Sequence, residues 1–202
     1  MKATVASACL AMIAPPAGPM AVHEKQGLAD MLYDYLEIRY PGVDLTRDVL
    51  YVSAQRQRLF HMRERRMIAE FMVSTSARGL GSERGSGRTP EGRHRISDRI
   101  GLGVPEGGVF RERVFTGEHA GSVAQGKDLV TSRILWLDGL EAGRNSGGDV
   151  DSRTRGIYIH GTPDVPGLGR PVSHGCIRMS DADVIGLFDA VQVGTLVVIL
   201  DN

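Results

Sequence analysis

Residues 156–178 read GIYIHGTPDVPGLGRPVSHGCIR, and this stretch decides how the rest of the chain is interpreted. An apolar run ends at His160, and Cys176 follows after a connection rich in glycine and proline. Cysteine reacts as its thiolate, and a free thiol with a pKa of about 8.5 is only slightly ionised near neutral pH. A neighbouring imidazole lowers a thiol pKa to roughly 3.5–7.5. The stretch therefore predicts a nucleophilic cysteine with a lowered pKa.

Two histidines accompany the thiol in this pattern. His160 ends a predicted strand and is the strongest candidate for the base, although a strand-end histidine can also be a hydrogen-bonded core residue. A catalytic imidazole needs an acceptor for its second nitrogen, and a backbone carbonyl could serve because no carboxylate is obviously placed. His174 precedes Cys176 by two residues, and such residues share a side in extended chain. We expect His160 to be the base and His174 a local helper.

The residues around the cysteine complete the predicted site. Gly175 allows a close backbone approach or a positive φ, and amides ahead of a predicted helix can lower a thiol pKa and stabilise an oxyanion. Ser173 is expected to hydrogen-bond locally. Arg178 has the planar fork that binds a carboxylate with two hydrogen bonds, and its alternative is a solvated surface arginine.

Metal and disulfide chemistry fit the pattern poorly. Cys9 and Cys176 are the only cysteines, they lie in different contexts, and no CxxC pair is present. Zinc bound by His160, His174 and Cys176 would lack a familiar spacing and a fourth ligand. We expect no metal and no cofactor. Three other histidines are interpreted as surface or structural residues: His61, His94 and His119.

Composition and periodicity predict a mainly β fold. The chain has 202 residues, 42% of them hydrophobic, with 26 glycines and 9 prolines that imply many turns. We expect a β-sandwich or partly closed barrel with an N-terminal helix and a short helix after the cysteine. The predicted strands cover residues 49–52, 58–62, 67–74, 93–96, 109–115, 129–137, 156–160 and 195–200.

The chain divides into three predicted parts. Residues 1–22 form a possible signal segment or a disordered tail, since Lys2 precedes an apolar but proline-broken run too short for a confident membrane span. Residues 23–43 contain an amphipathic helix with apolar positions that include Met31 and Ile38. Residues 48–202 are the predicted catalytic domain. Within it, residues 141–155 are long and polar enough to be a mobile lid over the site.

The overall charge argues against nucleic acid as a partner. Lysine and arginine number 24, aspartate and glutamate number 24, and the formal net charge is zero. Such a chain has no whole-protein field that would attract a polyanion. We therefore expect no nucleic acid partner.

The motif resembles that of the bacterial L,D-transpeptidases with a YkuD-type catalytic domain. Their signature is a histidine, a spacer of about a dozen residues or more, then Ser/Thr-His-Gly-Cys, an apolar residue and Asn or Arg. Here it reads His160, then Ser173-His174-Gly175-Cys176-Ile177-Arg178, with Arg178 where asparagine is often found. A Thr-Pro-x-Gly turn at residues 89–92 is similar too. The resemblance covers roughly residues 48–200.

This resemblance implies an enzyme of peptidoglycan biosynthesis, cell wall organisation and cell shape that acts outside the cytoplasm, in the periplasm or wall. Cys176 would attack a tetrapeptide stem and release D-alanine, with His160 as a base oriented by the Gly161 carbonyl. His174 would assist, and amides near Gly175 would hold the oxyanion. The thioester would pass to an amine of a second stem, giving a 3→3 cross-link, or to a wall-anchored lipoprotein.

Two other functions stay open from the sequence. The first is a carboxypeptidase or other hydrolase that acts on the same stems, in which water takes the acyl group. The second is a catalytically silent wall-binding module, which the intact Ser173-His174-Gly175-Cys176 motif argues against. All three interpretations predict peptidoglycan stem peptides as the partner and no stable membrane span.

Overall fold

The computed structural model describes residues 22–122 and 128–202, and within them a mainly β fold with two helices. The helices are α1 (Val22–Arg39) and α2 (Asp181–Ala190). The strands are β1 (Val49–Ser53), β2 (Arg58–Arg63), β3 (Arg66–Met72), β4 (Gly92–Ile100), β5 (Gly108–Arg111), β6 (Val114–His119), β7 (Val130–Gly139), β8 (Tyr158–Gly161), β9 (Ile177–Met179) and β10 (Leu196–Leu200). The predicted mainly β class with an early and a late helix is confirmed.

All the described strands belong to one open, branched sheet. Its main path runs β3-β2-β1-β10-β4-β7-β5-β6, and β8 leaves this path by pairing with both β7 and β9. Of the nine strand pairings among the described residues, seven are antiparallel, and three of these join consecutive strands through short turns, as the turn pattern predicts. Two pairs are parallel, β1 with β10 and β8 with β9. The second of these pairs carries the predicted catalytic residues.

Helix α1 covers one face of the sheet. Leu28, Leu32 and Leu36 recur at helical spacing and pack in a cluster with the outer side chains of β1, β2 and β10. Met31 and Ile38, which the apolar pattern assigns to the same face, are 52% and 84% exposed. The buried stripe continues instead through Ala29 and Tyr33, and Tyr40 directly after the helix is buried as well.

Helix α2 lies on the other face, behind the predicted site. Ser180 is its N-cap, and the Ser180 hydroxyl accepts a hydrogen bond from the Asp183 N–H at 3.1 Å. Val184, Leu187 and Phe188 are buried in a cluster with β7, β8 and β9. Helix α2 thus packs against β7, β8 and β9, the strands around the predicted site.

Two features of the sheet differ from the sequence pattern. The apolar run at 109–115 is a hairpin, β5 and β6, because Glu112 and Arg113 adopt positive φ values of 48° and 71° and turn the chain without a glycine. The three-residue strand β9 is too short for its alternation to be detected.

Of the predicted segment at 1–22, residues 1–21 lie outside the described residues, as does Cys9. The described residues include no helix long and apolar enough to cross a membrane.

Candidate active site

The parallel pairing of β8 with β9 assembles the site. His160 lies opposite Arg178 in the register, and the N–H of Tyr158 donates to Cys176 Sγ at 3.4 Å. Residues two apart on a strand share a face. His160 lies two residues along β8 from the Tyr158 amide that contacts the thiol, so the topology places the predicted nucleophile and base in the same region.

The His160 imidazole is buried and held in one tautomer. Only 2% of the residue is exposed, and its Nδ1–H donates to the Gly161 carbonyl oxygen at 2.8 Å. This leaves the lone pair on Nε2, which has no hydrogen-bond partner in the described ranges. Burial lowers the pKa of His160 and keeps the ring neutral, partly offset by the Gly161 carbonyl and the Asp128 charge. A neutral ring with a free Nε2 can accept a proton.

A bulge in β7 fixes the carbonyl that orients His160. The β7–β8 register shifts between Thr131 and Ile134, with Ser132 at a φ of 60°. The Thr131 and Ser132 hydroxyls both donate to Asp181 Oδ1 at 2.6 Å. A Cβ on Gly161 would lie 2.3 Å from that oxygen and 2.7 Å from the Thr131 carbonyl oxygen. Glycine is therefore required at this position by close packing against β7 and α2.

The thiol of Cys176 is protonated at rest. Its Sγ–H donates to the Gly156 carbonyl at 3.4 Å, and no hydrogen bond joins it to His160. Burial raises its pKa to about 11, and the N–H of Tyr158 and the Arg178 and Arg155 charges only partly offset this. The expected lowering of the thiol pKa is therefore wrong for the free protein. Proton transfer to His160 needs the thiol to turn from Gly156.

Ser173 shapes the turn that presents the cysteine. Its hydroxyl donates to the Cys176 carbonyl at 2.6 Å and accepts from the Gly175 N–H at 3.2 Å. Gly175 adopts a φ of +132°, a conformation that disfavours side chains. Thr89, from the Thr-Pro-x-Gly turn, donates to the Gly175 carbonyl at 2.9 Å. The two motifs thus support each other across the site.

The amides of this turn have different availability for an oxyanion. The Gly175 N–H is directed at Ser173, whereas the Cys176 N–H has no hydrogen-bond partner in the part of the chain that the structure describes. An oxyanion needs donors that are free and aimed at it. Of the two predicted amides, that of Cys176 is the one in position to donate.

Arg178 is buried among carboxylates of the protein itself. Its side chain is 5% exposed, with Nη2 at 2.6 Å from Asp128 Oδ2 and Nη1 at 3.6 Å from Asp164 Oδ2. Its surface alternative is wrong, and its guanidinium is already paired before any substrate carboxylate arrives. Asp128 and Asp164 were not among the predicted site residues, since neither belongs to the Ser-His-Gly-Cys motif.

His174 lies at the surface of the site and has a carboxylate partner. Its side chain is 79% exposed, and its Nδ1–H donates to Asp128 Oδ2 at 2.7 Å. The positive φ of Gly175 interrupts the extended chain between His174 and Cys176, so the two-residue spacing does not determine the direction of the His174 side chain. The carboxylate-paired histidine of this site is therefore His174, and the carbonyl-paired one is His160.

A pocket of about 340 Å³ opens beside the thiol. Gly156 and Tyr158, the two residues that contact Sγ, form part of its wall. Arg113 and Arg155 bring positive charge to the same wall, and Glu112 brings one negative charge.

The loop at 141–155 is a fixed wall rather than a free lid. Asn145 is fully buried and donates to the carbonyls of Glu91 and Arg93, and its own Oδ1 accepts from the Glu141 N–H. Ser152 is buried as well. These contacts anchor the loop to β4, so the structure does not support the lid that its length suggests.

Three further histidines have surroundings that differ from those of the site. His61 is buried with Nε2 at 2.6 Å from Asp48 Oδ1, and His94 is buried between Gly92 and Ser152. His119 belongs to the exposed strand β6. Across residues 22–122 and 128–202, no group of three His, Cys, Asp or Glu side chains could hold a metal ion.

Comparisons with known proteins agree on one family. The family model described as the L,D-transpeptidase catalytic domain, YkuD, matches residues 47–199. The L,D-transpeptidase homologue YqjB of Bacillus subtilis is 46% identical over 53 residues, which cover 26% of this chain and 29% of that protein. The homologue ErfK/SrfK of Escherichia coli is 54% identical over 44 residues, or 22% of this chain and 14% of that protein. The chain thus aligns with less than a third of each relative.

A solved structure shares the fold. The carbamoyl enzyme of Ldtfm with avibactam superimposes with a TM-score of 0.50 at 17% identity, covering 80% of this chain and 51% of that chain. At this identity the likeness concerns the fold alone. It agrees with the open, mainly β architecture described above.

Proposed function

The chain belongs to the L,D-transpeptidase family through its YkuD-type catalytic domain, and on this premise we propose that it is a peptidoglycan L,D-transpeptidase with Cys176 as nucleophile. The observation that carries the proposal is the His160 imidazole. The ring is buried, its Nδ1–H is held by the Gly161 carbonyl, and its Nε2 is free to accept a proton. His160 lies two residues along β8 from Tyr158, whose backbone N–H contacts the thiol. This is the geometry of a general base for a thiol that is protonated at rest.

In the first half-reaction Cys176 becomes an acyl-enzyme. The thiol turns from Gly156 and gives its proton to Nε2 of His160, and Sγ attacks the carbonyl of the L-centred diamino acid in a tetrapeptide stem. The free N–H of Cys176 donates to the oxyanion. The imidazolium of His160 protonates the leaving D-alanine amine, and a thioester remains on Sγ.

In the second half-reaction an amine resolves the thioester. A thioester retains enough acyl energy for aminolysis without ATP, which suits an enzyme that works outside the cytoplasm. The acceptor is the side-chain amine of a second stem, giving a 3→3 cross-link, or an amine of a wall-anchored lipoprotein. The proposed substrate supports an extracytoplasmic location for the enzyme, because peptidoglycan lies outside the cytoplasm.

The proposal is tested by covalent labelling. Wild-type protein incubated with a carbapenem should gain the mass of one adduct, and Cys176→Ala should gain none. A protein that takes no label would be a wall-binding module, and the enzyme proposal would be wrong. Matched circular dichroism spectra of the two proteins serve as the folding control.

The product identifies the reaction. Disaccharide tetrapeptides incubated with the wild-type protein should give 3→3 dimers and free D-alanine in mass spectrometry. Shortened stems without dimers would indicate the hydrolase instead, and would contradict the transpeptidase assignment while leaving Cys176 as nucleophile.

A further inference from the structure

Asp128 joins two residues of the site through a single oxygen. Its Oδ2 accepts from His174 Nδ1 at 2.7 Å and from Arg178 Nη2 at 2.6 Å. Burial by itself would raise the pKa of Asp128, but the hydrogen bond from His174 and the charge of Arg178 lower it below the ordinary value. The carboxylate is therefore ionised at neutral pH, and it fixes His174 in the tautomer with hydrogen on Nδ1.

The two histidines face different parts of the reaction. His160 is buried at the back of the site, whereas the His174 side chain is 79% exposed. An amine that arrives from solution meets His174 first. With Nδ1 held by Asp128, the exposed Nε2 of His174 is left as a proton acceptor.

The acceptor presents a problem that the first half-reaction does not. An alkyl amine has a pKa of about 10.4 and reaches the site as an ammonium ion, which has no lone pair for attack. His160 is neutral again once D-alanine has taken its proton, but with 2% of the residue exposed it does not meet the amine before the amine has entered the site. A second base at the surface would remove this barrier.

We propose that Asp128 positions His174 as the general base that deprotonates the acceptor amine in the second half-reaction. This inference rests on the proposed transpeptidase function and goes beyond it by giving the two histidines separate half-reactions. His174 is the catalytic residue of this step, since it touches the acceptor. Asp128 is a positioning residue, because it acts through the His174 ring.

The step balances in protons and electron pairs. Nε2 of His174 takes one proton from the acceptor ammonium, and the freed nitrogen lone pair attacks the thioester carbonyl carbon. The C–N bond forms while the carbonyl π pair moves to oxygen. Collapse of the oxyanion breaks the C–S bond, and the sulfur takes the second amine proton. The products are the amide, the Cys176 thiol and a His174 imidazolium that returns its proton to water.

Arg178 offers an internal control for this inference. It pairs with Asp164 as well as with Asp128, at 3.6 Å and 2.6 Å. Asp164→Asn weakens the Arg178 pairing and leaves the His174 hydrogen bond in place. Asp128→Asn weakens both. A role that consists only of neutralising Arg178 would give the two variants similar defects.

The test separates acylation from aminolysis in the full-length protein. Acylation is measured as the rate of carbapenem adduct formation, and aminolysis as the rate of amide product from a tetrapeptide donor and a lysine-type amine. We expect Asp128→Asn and His174→Gln to acylate within about threefold of wild type and to lose aminolysis by about tenfold or more. Asp164→Asn should stay within about threefold in both, and Asp128→Glu should recover part of the loss.

A second acceptor identifies the lost step. Hydroxylamine is already neutral at the assay pH and needs no base, so Asp128→Asn should transfer to it at a rate within about threefold of wild type. An equal defect with both acceptors, or an acylation defect as large as the aminolysis defect, would overturn the inference. Failure of the wild-type protein to take any carbapenem label would instead contradict the proposed function.

The tautomer of His174 can be read without a variant. In ¹⁵N spectra of the wild-type protein at neutral pH, His174 should show a protonated Nδ1 and an unprotonated Nε2. A protonated Nε2 with a bare Nδ1 would overturn the inference even if Asp128→Asn failed to fold.

Discussion

Two buried histidines of this molecule share the same tautomer but differ in the partner of their second ring nitrogen. His94 on β4 and His160 on β8 are both buried, and in each the Nδ1–H donates to a nearby carbonyl, that of Gly92 at 3.1 Å and that of Gly161 at 2.8 Å. Burial lowers the pKa of both rings, to about 4 for His94. Burial, tautomer and the direction of the pKa shift therefore do not distinguish them.

The difference lies at the second nitrogen. The Ser152 hydroxyl donates to Nε2 of His94 at 3.0 Å, whereas Nε2 of His160 has no such partner within the described ranges. A histidine with both nitrogens satisfied serves the fold, and one with a free lone pair near a thiol can serve chemistry. Each of the next three predictions changes one side of this comparison.

The largest effect is expected at His160, the histidine whose Nε2 has no hydrogen-bond partner within the described ranges. His160→Gln removes the base, and carbapenem acylation of Cys176 should slow by about 10²–10⁴-fold, the usual contribution of a general base. The rate is followed by mass spectrometry of the adduct. His94→Gln is the matched control and should acylate at nearly the wild-type rate. Equal acylation by both variants would show that the open nitrogen is not the base.

His94 should control how the free energy of unfolding changes at acidic pH. Its folded pKa is about 4 and its unfolded pKa about 6.5, so the unfolded state binds the proton first as pH falls. The stabilisation is complete above pH 6.5 and disappears by about pH 4, a loss of about 3 kcal/mol at 1.36 kcal/mol per pKa unit. Urea unfolding of wild type and His94→Gln between pH 7 and pH 4 measures it. The same pH slope in both proteins would contradict the assignment.

The smallest effect is expected when Nε2 of His94 loses its hydrogen-bond donor. Ser152→Ala leaves Nε2 of His94 buried without a donor, and the free energy of unfolding at pH 7 should fall by about 1–3 kcal/mol. Acylation of Cys176 should be unchanged, because no hydrogen bond joins His94 to Cys176. A slower acylation would mean that β4 transmits its packing to the site, and the two histidines would not be independent.

The parts of the site that are contiguous in sequence were predictable. The turn from Ser173 to Arg178 carries its own signals, a glycine with positive φ and a serine that bonds to the turn. The N-cap at Ser180 is equally local. The role of Gly161 followed from the family resemblance rather than from any local pattern, and the structure now gives it a steric reason.

The parts that depend on tertiary contact were not predictable. Asp128 lies 46 positions before its partner His174, and only the packing of β7 beside β8 and β9 brings them together. The raised thiol pKa has the same origin, since it reflects burial by several strands rather than the neighbouring residues. The anchoring of the loop at 141–155 depends on Asn145, whose carbonyl partners Arg93 and Glu91 lie 52 and 54 positions earlier.

The place of β10 in the sheet has a consequence for how the protein is made. This strand, late in the chain, lies between β1 and β4 and is the described strand that joins the early hairpins to the strands that lead to β8. Isolated bridges of Ser74 with Arg178 and of Ser76 with Ser173 also link the two parts. A polypeptide that stops before residue 196 would expose two unpaired strand edges and leave two half-sheets. The sheet becomes continuous only after residues 196–200 have been synthesised. A chain that stops before this strand would therefore contain Cys176 without a continuous sheet to position it.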